Sequence, residues 1–83
     1  MEIYKLEAYD KDNDVYSLIM ISHDIALLKD LGIKLFTGFN LSRSSNNEPI
    51  DWLVISDNYD ETPICYLPDE TPLEWHDYER KGE

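Results

Sequence analysis

Hydrophobic and polar residues alternate along the start of the chain. Residues 2–9 place apolar side chains on one side of this alternation and Lys5 and Glu7 on the other, the period-two pattern of a half-buried strand. Residues 10–14 are Asp, Lys and Asn, and Asp and Asn form turns because their side chains bond nearby backbone. Residues 15–21 form a second apolar, partly β-branched run. The pattern predicts an N-terminal β-hairpin.

A helix is predicted after the hairpin. Ser22 can cap its first turn by accepting a hydrogen bond from a free amide, and Asp24 suits the positive end of the helix dipole. The apolar stripe within residues 25–31 is spaced to face a sheet. Gly32 can adopt the left-handed conformation that ends a helix. Residues 33–39 fit a third strand, although their apolar spacing fits a helix nearly as well.

The second half of the chain predicts two more strands. Residues 40–49 are polar and rich in Ser and Asn, which indicates an exposed loop. Residues 50–56 are apolar on both faces, as in a central strand, and residues 63–67 form a shorter strand bounded by prolines. In residues 71–74, Thr71 can act as N-cap and Glu74 can complete a capping box with it. Pro72 stands at the first helical position, which proline favours. This segment predicts a short C-terminal helix reaching Tyr78.

These elements predict the α+β fold class in a single domain over residues 1–83. The expected architecture is a small antiparallel sheet of four to five strands, with one helix after the N-terminal hairpin and a short C-terminal helix. Apolar residues make up 42% of the chain, enough to close a core of this size. The single cysteine and the lack of a signal sequence or long apolar run predict a cytoplasmic protein.

Charge narrows the class of partner. The chain carries 18 acidic and 7 basic residues, a net charge of −11. Residues 1–43 contribute −2 of this charge and residues 44–83 contribute −9. Such acidity disfavours nucleic acid and anionic membrane as partners and favours a basic protein. The oligomeric state stays open.

No set of residues predicts catalysis or a cofactor. Asp10, Asp12 and Asp14 have the spacing of the first ligands of a calcium loop, but the loop's glycine and glutamate would fall on apolar residues, so a hairpin turn is favoured. Two histidines and one cysteine are too few for a structural zinc site. Cys65 lies in an apolar strand and resembles a buried hydrophobe, and no nucleophile accompanies His76. We expect a non-catalytic protein without a cofactor.

Carboxylates are interleaved with aromatic residues in the second half of the chain. Tyr and Trp are enriched at interface hot spots, and surrounding carboxylates suit a partner rich in Arg or Lys. Trp52 and Tyr66 are expected in the core. The candidate partner-binding residues are Asp51, Asp57, Tyr59, Asp60, Glu61, Asp69, Glu70, Glu74, Trp75, Asp77 and Tyr78.

This surface predicts an inhibitor that presents negative charge to the basic nucleic-acid-binding surface of a target enzyme. Phosphate contacts dominate the affinity of such enzymes, so an acidic protein can compete for the same groove. In size and charge the chain resembles phage-encoded inhibitors, including anti-CRISPR, anti-restriction and uracil-DNA glycosylase inhibitor proteins. A small accessory subunit whose apolar surface pairs with itself or with another protein is the alternative from a different class.

The last third of the chain has a family resemblance. Residues 52–57 (WLVISD), 63–67 (PICYL) and 72–77 (PLEWHD) resemble the closing strands of the SUKH superfamily. Many members of that superfamily are immunity proteins against bacterial toxins. The resemblance therefore implies an immunity protein that neutralises a basic toxin, a second kind of basic partner.

Overall fold

The computed structural model describes residues 2–37, 51–70 and 72–78. Their fold is α+β, as predicted, with one helix packed on one face of a five-stranded antiparallel sheet. The elements are β1 (Tyr4–Asp10), β2 (Val15–Ser22), α1 (Ile25–Thr37), β3 (Trp52–Asp57), β4 (Pro63–Pro68) and β5 (His76–Asp77). The strand order is β2-β1-β3-β4-β5, so β3 is central, as its apolar pattern predicts.

The N-terminal hairpin is confirmed. The Asp10 carboxylate accepts hydrogen bonds from the backbone N–H of Asp12 (3.0 Å) and from Asn13 Nδ2 (2.7 Å), which fixes the turn. Asp14 closes the turn with φ at 54°, in the left-handed region that Asp and Asn tolerate better than most residues. The Asp10 carboxylate is therefore used to build the turn.

The core lies between α1 and alternate residues of the three middle strands. Its members are Leu6, Ala8, Leu28, Phe36, Leu53, Ile55, Cys65 and Leu67. The register joins them in rows across the sheet, with Leu6 opposite Ile55 and Ile55 opposite Cys65. Burial of Cys65 raises the pKa of its thiol, consistent with the predicted role as a small hydrophobe.

Helix α1 begins later than the sequence predicts. Asp24, not Ser22, is the N-cap, because its Oδ1 accepts a hydrogen bond from Leu27 N (3.2 Å) and its carbonyl accepts one from Leu28 N (3.3 Å). Ser22 ends β2, and its hydroxyl accepts a hydrogen bond from Asp24 N. Ser22 and Asp24 both have side chains that can cap a helix, and pairing of Ser22 with Tyr4 in the sheet leaves Asp24 as the cap.

The prediction that Gly32 ends the helix is wrong, and α1 continues to Thr37. Residues 33–37 are thus helix and not strand, while residues 38 and 39 of the same predicted segment lie outside the described residues. Gly32 is needed for packing, because a Cβ placed there would lie 2.6 Å from Cζ2 of Trp75. The missing side chain lets the indole lie directly against the helix backbone.

The predicted C-terminal helix is also wrong, since its segment carries β5 instead. Within β5, Asp77 pairs with Cys65 and His76 with Tyr66. The Trp75 indole Nε1 donates a hydrogen bond to the Lys29 carbonyl (3.0 Å) and so attaches this segment to α1. A capping box is a local signal, and a helix this short gains too little to compete with pairing to β4. Thr71, the predicted cap, lies outside the described residues.

Candidate protein-binding site

The face of the sheet opposite α1 is not covered by any helix or strand among the described residues. Because side chains alternate along a strand, the register assigns its members. We call this the open face, and it comprises Lys5, Glu7 and Tyr9 of β1, Tyr16, Leu18 and Ile21 of β2, Trp52, Val54 and Ser56 of β3, Tyr66 of β4 and His76 of β5. Trp52 and Tyr66, expected in the core, lie half-buried here.

Aromatic rings form two groups on the open face. Tyr9 is at the centre of one, with its ring centroid 4.6 Å from Tyr16 and 4.7 Å from Trp52. Tyr66 is at the centre of the other, 5.4 Å from the His76 ring and 5.0 Å from Tyr78. These separations are typical of favourable aromatic pairs. The face therefore offers large, rigid side chains of the kind that dominate protein interfaces.

A groove of about 270 Å³ lies between these two groups. We call it the tyrosine groove, and it is lined by Lys5, Glu7, Tyr16, Val54, Ser56, Glu61, Pro63 and Tyr78. Val54 and Ser56 are buried and form its base on the central strand. Tyr16 of the edge strand β2 and Tyr78, which follows β5, are exposed and line the groove.

Lys5 forms only long ion pairs with the two carboxylates that line the groove. Lys5 Nζ lies 3.8 Å from Glu7 Oε1 and 3.8 Å from Glu61 Oε1. These separations are longer than a charge-assisted hydrogen bond, so neither carboxylate is fully satisfied by the lysine. With two carboxylates and one ammonium, these three groups carry a net charge of −1.

The predicted site residues separate into two groups at opposite ends of the sheet. Asp57, Tyr59, Asp60, Glu61, Asp77 and Tyr78 lie toward the end that holds the β3–β4 turn. Of these, Glu61 and Tyr78 line the tyrosine groove, whereas the register places Asp57 opposite Tyr4 and Asp77 opposite Cys65, on the face of α1. Asp51, Asp69 and Glu70 lie at the other end, beside the β1–β2 turn. Glu74 and Trp75 precede β5, and the Trp75 ring packs against α1 within the fold.

Several of these carboxylates shape turns. Asp57 Oδ1 accepts hydrogen bonds from Tyr59 N (2.7 Å) and Asp60 N (3.3 Å), and Asp60 Oδ1 accepts one from Thr62 N (2.9 Å). At the other end, Asp51 Oδ2 accepts a hydrogen bond from Lys11 N (2.7 Å). Replacing them would alter local structure as well as charge. Glu61, whose side chain is 75% exposed, is the group that can be changed most cleanly.

Sequence reasoning missed six of the eight residues that line the groove, and three of these six come from the first half of the chain. Lys5, Glu7 and Tyr16 belong to the first half of the chain, whereas the charge count directed attention to the second half. The alternation in β1 does put Lys5 and Glu7 on the polar side of that strand. Only the antiparallel pairing of β1 with β3 brings them beside Glu61.

The Tyr9 hydroxyl has an unusual environment for its titration. It donates a hydrogen bond to Asp14 Oδ1 (2.8 Å), and this bond, with burial and the Asp14 charge, raises the pKa of Tyr9 to about 12. Because the fold favours the neutral phenol, this contribution to stability is complete below pH 10. It is lost as the pH rises from 10 to about 12.

Asp14→Asn is therefore expected to return the pKa of Tyr9 toward its ordinary value of 10.0, because it removes the charge and keeps a residue that tolerates a positive φ. Tyrosinate absorbance during an alkaline titration measures this change. Asp12→Asn, in the same turn, is the control and should leave the titration unchanged. Equal titration curves for all three proteins would contradict the assignment.

Comparison with protein-family models, with curated proteins and with solved structures finds no match to this chain. No helix in the described part is long and apolar enough to cross a membrane. Over the same residues, no group of three or more His, Cys, Asp or Glu side chains is arranged to hold a metal ion.

Proposed function

We propose that this protein is a non-catalytic acidic inhibitor that binds the basic nucleic-acid-binding surface of a target enzyme through its open face. The observation that carries the proposal is the tyrosine groove, where two carboxylates and two exposed tyrosines surround a loosely held lysine. This is a site for a cationic side chain, and the surfaces that bind nucleic acid are rich in Lys and Arg.

The groove suits an arginine or lysine of the partner for two reasons. Glu7 and Glu61 keep acceptor capacity, because Lys5 lies 3.8 Å from each. A guanidinium can form shorter, paired hydrogen bonds with a carboxylate than Lys5 forms here. Tyr16 and Tyr78 also line the groove, and an aromatic ring attracts a cation that lies over its face.

Charge alone is too sparse to reproduce a nucleic-acid duplex. A duplex as long as the largest extent of this protein, 39 Å, carries about 23 phosphate charges, whereas the whole chain has a net charge of −11. Binding through carboxylates in place of phosphates therefore needs additional contacts. The exposed aromatic side chains of the open face supply them, with acidic residues at both ends of the sheet oriented toward a basic rim.

Salt dependence tests this proposal. Against purified basic nucleases and DNA glycosylases as probes, we expect one or more to bind and its affinity to fall roughly tenfold or more between about 50 and 200 mM salt. Nucleic acid bound by the same enzyme should compete for the site. Isothermal titration at several salt concentrations measures both effects. Absence of binding to every probe at low salt, or binding that salt leaves unchanged, would refute the proposal.

The immunity role is the second candidate, because the segments that resemble SUKH proteins form the adjacent strands β3, β4 and β5. An immunity protein of this kind would use the same acidic surface against a basic toxin. The two roles differ in the partner. Rescue of cells that express a basic toxin encoded beside this gene would favour immunity, and inhibition of a nucleic-acid enzyme without such rescue would favour the first role.

A further inference from the structure

The two edges of the sheet differ in a way that bears on assembly. At one edge, β5 has only two residues, and one of them is Asp77. At the other edge, β2 has eight residues, and its sequence VYSLIMIS contains no charge, no proline and no glycine. No other described strand pairs with the outer side of β2. Proteins normally protect such an edge with charges, prolines, bulges or very short strands. Of these, β2 has one bulge, at Ile19, where its register with β1 shifts, and residues 15–18 and 20–22 on either side of it are open to a further strand.

The exposure of the β2 side chains also indicates an edge that accepts a further strand. Five large apolar residues of β2 are exposed: Val15, Tyr16, Leu18, Met20 and Ile21. The register places Tyr16 and Ile21 on the open face and Met20 on the face of α1. The side chains of β2 are therefore apolar on both faces of the sheet. A strand with one face in solvent normally alternates apolar and polar side chains instead.

We propose that β2 pairs with β2 of a second copy of this chain to form a ten-stranded antiparallel sheet. The strand that covers β2 should be uncharged and apolar on both faces, and β2 itself has these properties. Eight residues at about 3.4 Å each give an edge about 27 Å long, and the free N–H and C=O groups on either side of the bulge at Ile19 can pair with their complements in the second copy. A strongly basic strand would instead be drawn to the carboxylates elsewhere on the molecule.

The pairing has a consequence for the open face. The twofold axis that relates two antiparallel edge strands is perpendicular to the sheet, so both open faces lie on the same side of the dimer. Two tyrosine grooves would then face one target surface. Self-pairing does not depend on the proposed function, and either can fail without the other.

The two interactions should respond oppositely to salt. Two copies that each carry −11 repel one another, and salt screens this repulsion, so dimerisation should tighten as salt rises. Sedimentation equilibrium of the full chain measures it. We expect a dimer whose dissociation constant falls about tenfold or more between 50 and 500 mM salt, as the repulsion is screened.

The variant Leu18→Lys with Ile21→Lys tests the surface, because both side chains are exposed and a charged edge resists pairing. It should be monomeric at every salt concentration and retain the circular dichroism of the wild type. Thr62→Lys, outside β2, adds positive charge without touching this edge and should stay dimeric. In the wild-type protein, hydrogen exchange of the β2 amides should slow as protein concentration rises, which supplies a test even if the double variant fails to fold.

A wild-type chain that stays monomeric at high concentration and high salt would overturn the proposal. So would a dimer that the double variant leaves intact. If β2 amides are protected from exchange equally at all concentrations in a monomer, the edge is covered from within the chain, and residues 38–50 become the candidate occupant. If protection appears only when a purified basic target is added, the occupant is a strand of that partner. Each of these results rules out pairing with a second copy.

Discussion

Replacing Glu7 and Glu61 together with Gln is expected to weaken binding of the basic partner about 100-fold. Each carboxylate that receives a charged donor at an interface contributes about 1.5 kcal/mol or more, which is roughly tenfold in affinity. The double change also leaves Lys5 without a counter-charge, so the net charge of these three groups changes from −1 to +1. The groove would then repel the cation that it is proposed to bind. Titration calorimetry with the partner at low salt gives the affinities.

A matched pair of single variants separates this site from bulk charge. Glu61→Gln and Asp30→Asn each remove one carboxylate from an ion pair with a lysine, the second on the exposed surface of α1 (3.1 Å to Lys34). We expect about tenfold weaker binding for Glu61→Gln and less than twofold for Asp30→Asn. Equal losses would mean that only the total charge matters and that the groove has no special role.

The structure shows which carboxylates can be replaced to test binding without disturbing the β3–β4 turn. Reversal of Asp57, Asp60 and Glu61 to Lys is the experiment that the sequence suggests. Asp57 and Asp60 accept backbone hydrogen bonds in the β3–β4 turn, so their reversal would disturb the turn and confuse loss of charge with loss of shape. Gln at position 61 avoids this, because within the described residues the Glu61 carboxylate forms a long ion pair with Lys5 and does not cap the turn.

Gly32→Val is expected to lower the free energy of unfolding by about 3 kcal/mol, the upper part of the range for overpacked sites. A Cβ at this position would lie 2.6 Å from Trp75 Cζ2 and 3.3 Å from a methyl group of Leu53. The indole cannot retreat without losing its hydrogen bond to the Lys29 carbonyl. The gain in helix propensity over glycine is below about 1 kcal/mol, so the steric cost decides the sign. Urea denaturation provides the measurement.

Ala26→Val is the matched control for that prediction. Ala26 lies on the exposed side of the same helix, so the change should cost only the difference in helix propensity, about 0.5 kcal/mol. Combining Gly32→Val with Trp75→Leu should cost less than the sum of the single variants, because the smaller side chain removes the clash. If Gly32→Val costs no more than Ala26→Val, Trp75 does not pack against the helix as described.

The sequence predicted the fold best where one pattern dominated over several residues. Alternation in residues 2–9 and the apolar run of residues 50–56 gave β1 and β3, and the Asp-rich turn between β1 and β2 gave the hairpin. These features depend on neighbours along the chain. They can therefore be read before any tertiary contact is known.

The failures share one cause, which is contact between residues distant in sequence. Gly32 has the residue type of a helix end, but Trp75 makes it a packing position. The capping signal before Trp75 predicts a helix, but the free side of β4 and the attachment to Lys29 make β5 instead. The tyrosine groove was not predicted for the same reason. Glu7 and Glu61 line one groove only because β1 pairs with β3.

The central claim is that the open face binds a basic protein in place of nucleic acid. Its most direct test is capture from a lysate of the native host on the immobilised wild-type protein, followed by elution with duplex DNA or RNA and identification by mass spectrometry. We expect to identify a basic nucleic-acid-binding enzyme that nucleic acid releases and that the Glu7→Gln, Glu61→Gln variant fails to retain. Captured proteins that nucleic acid does not displace, or equal capture by the variant, would contradict it.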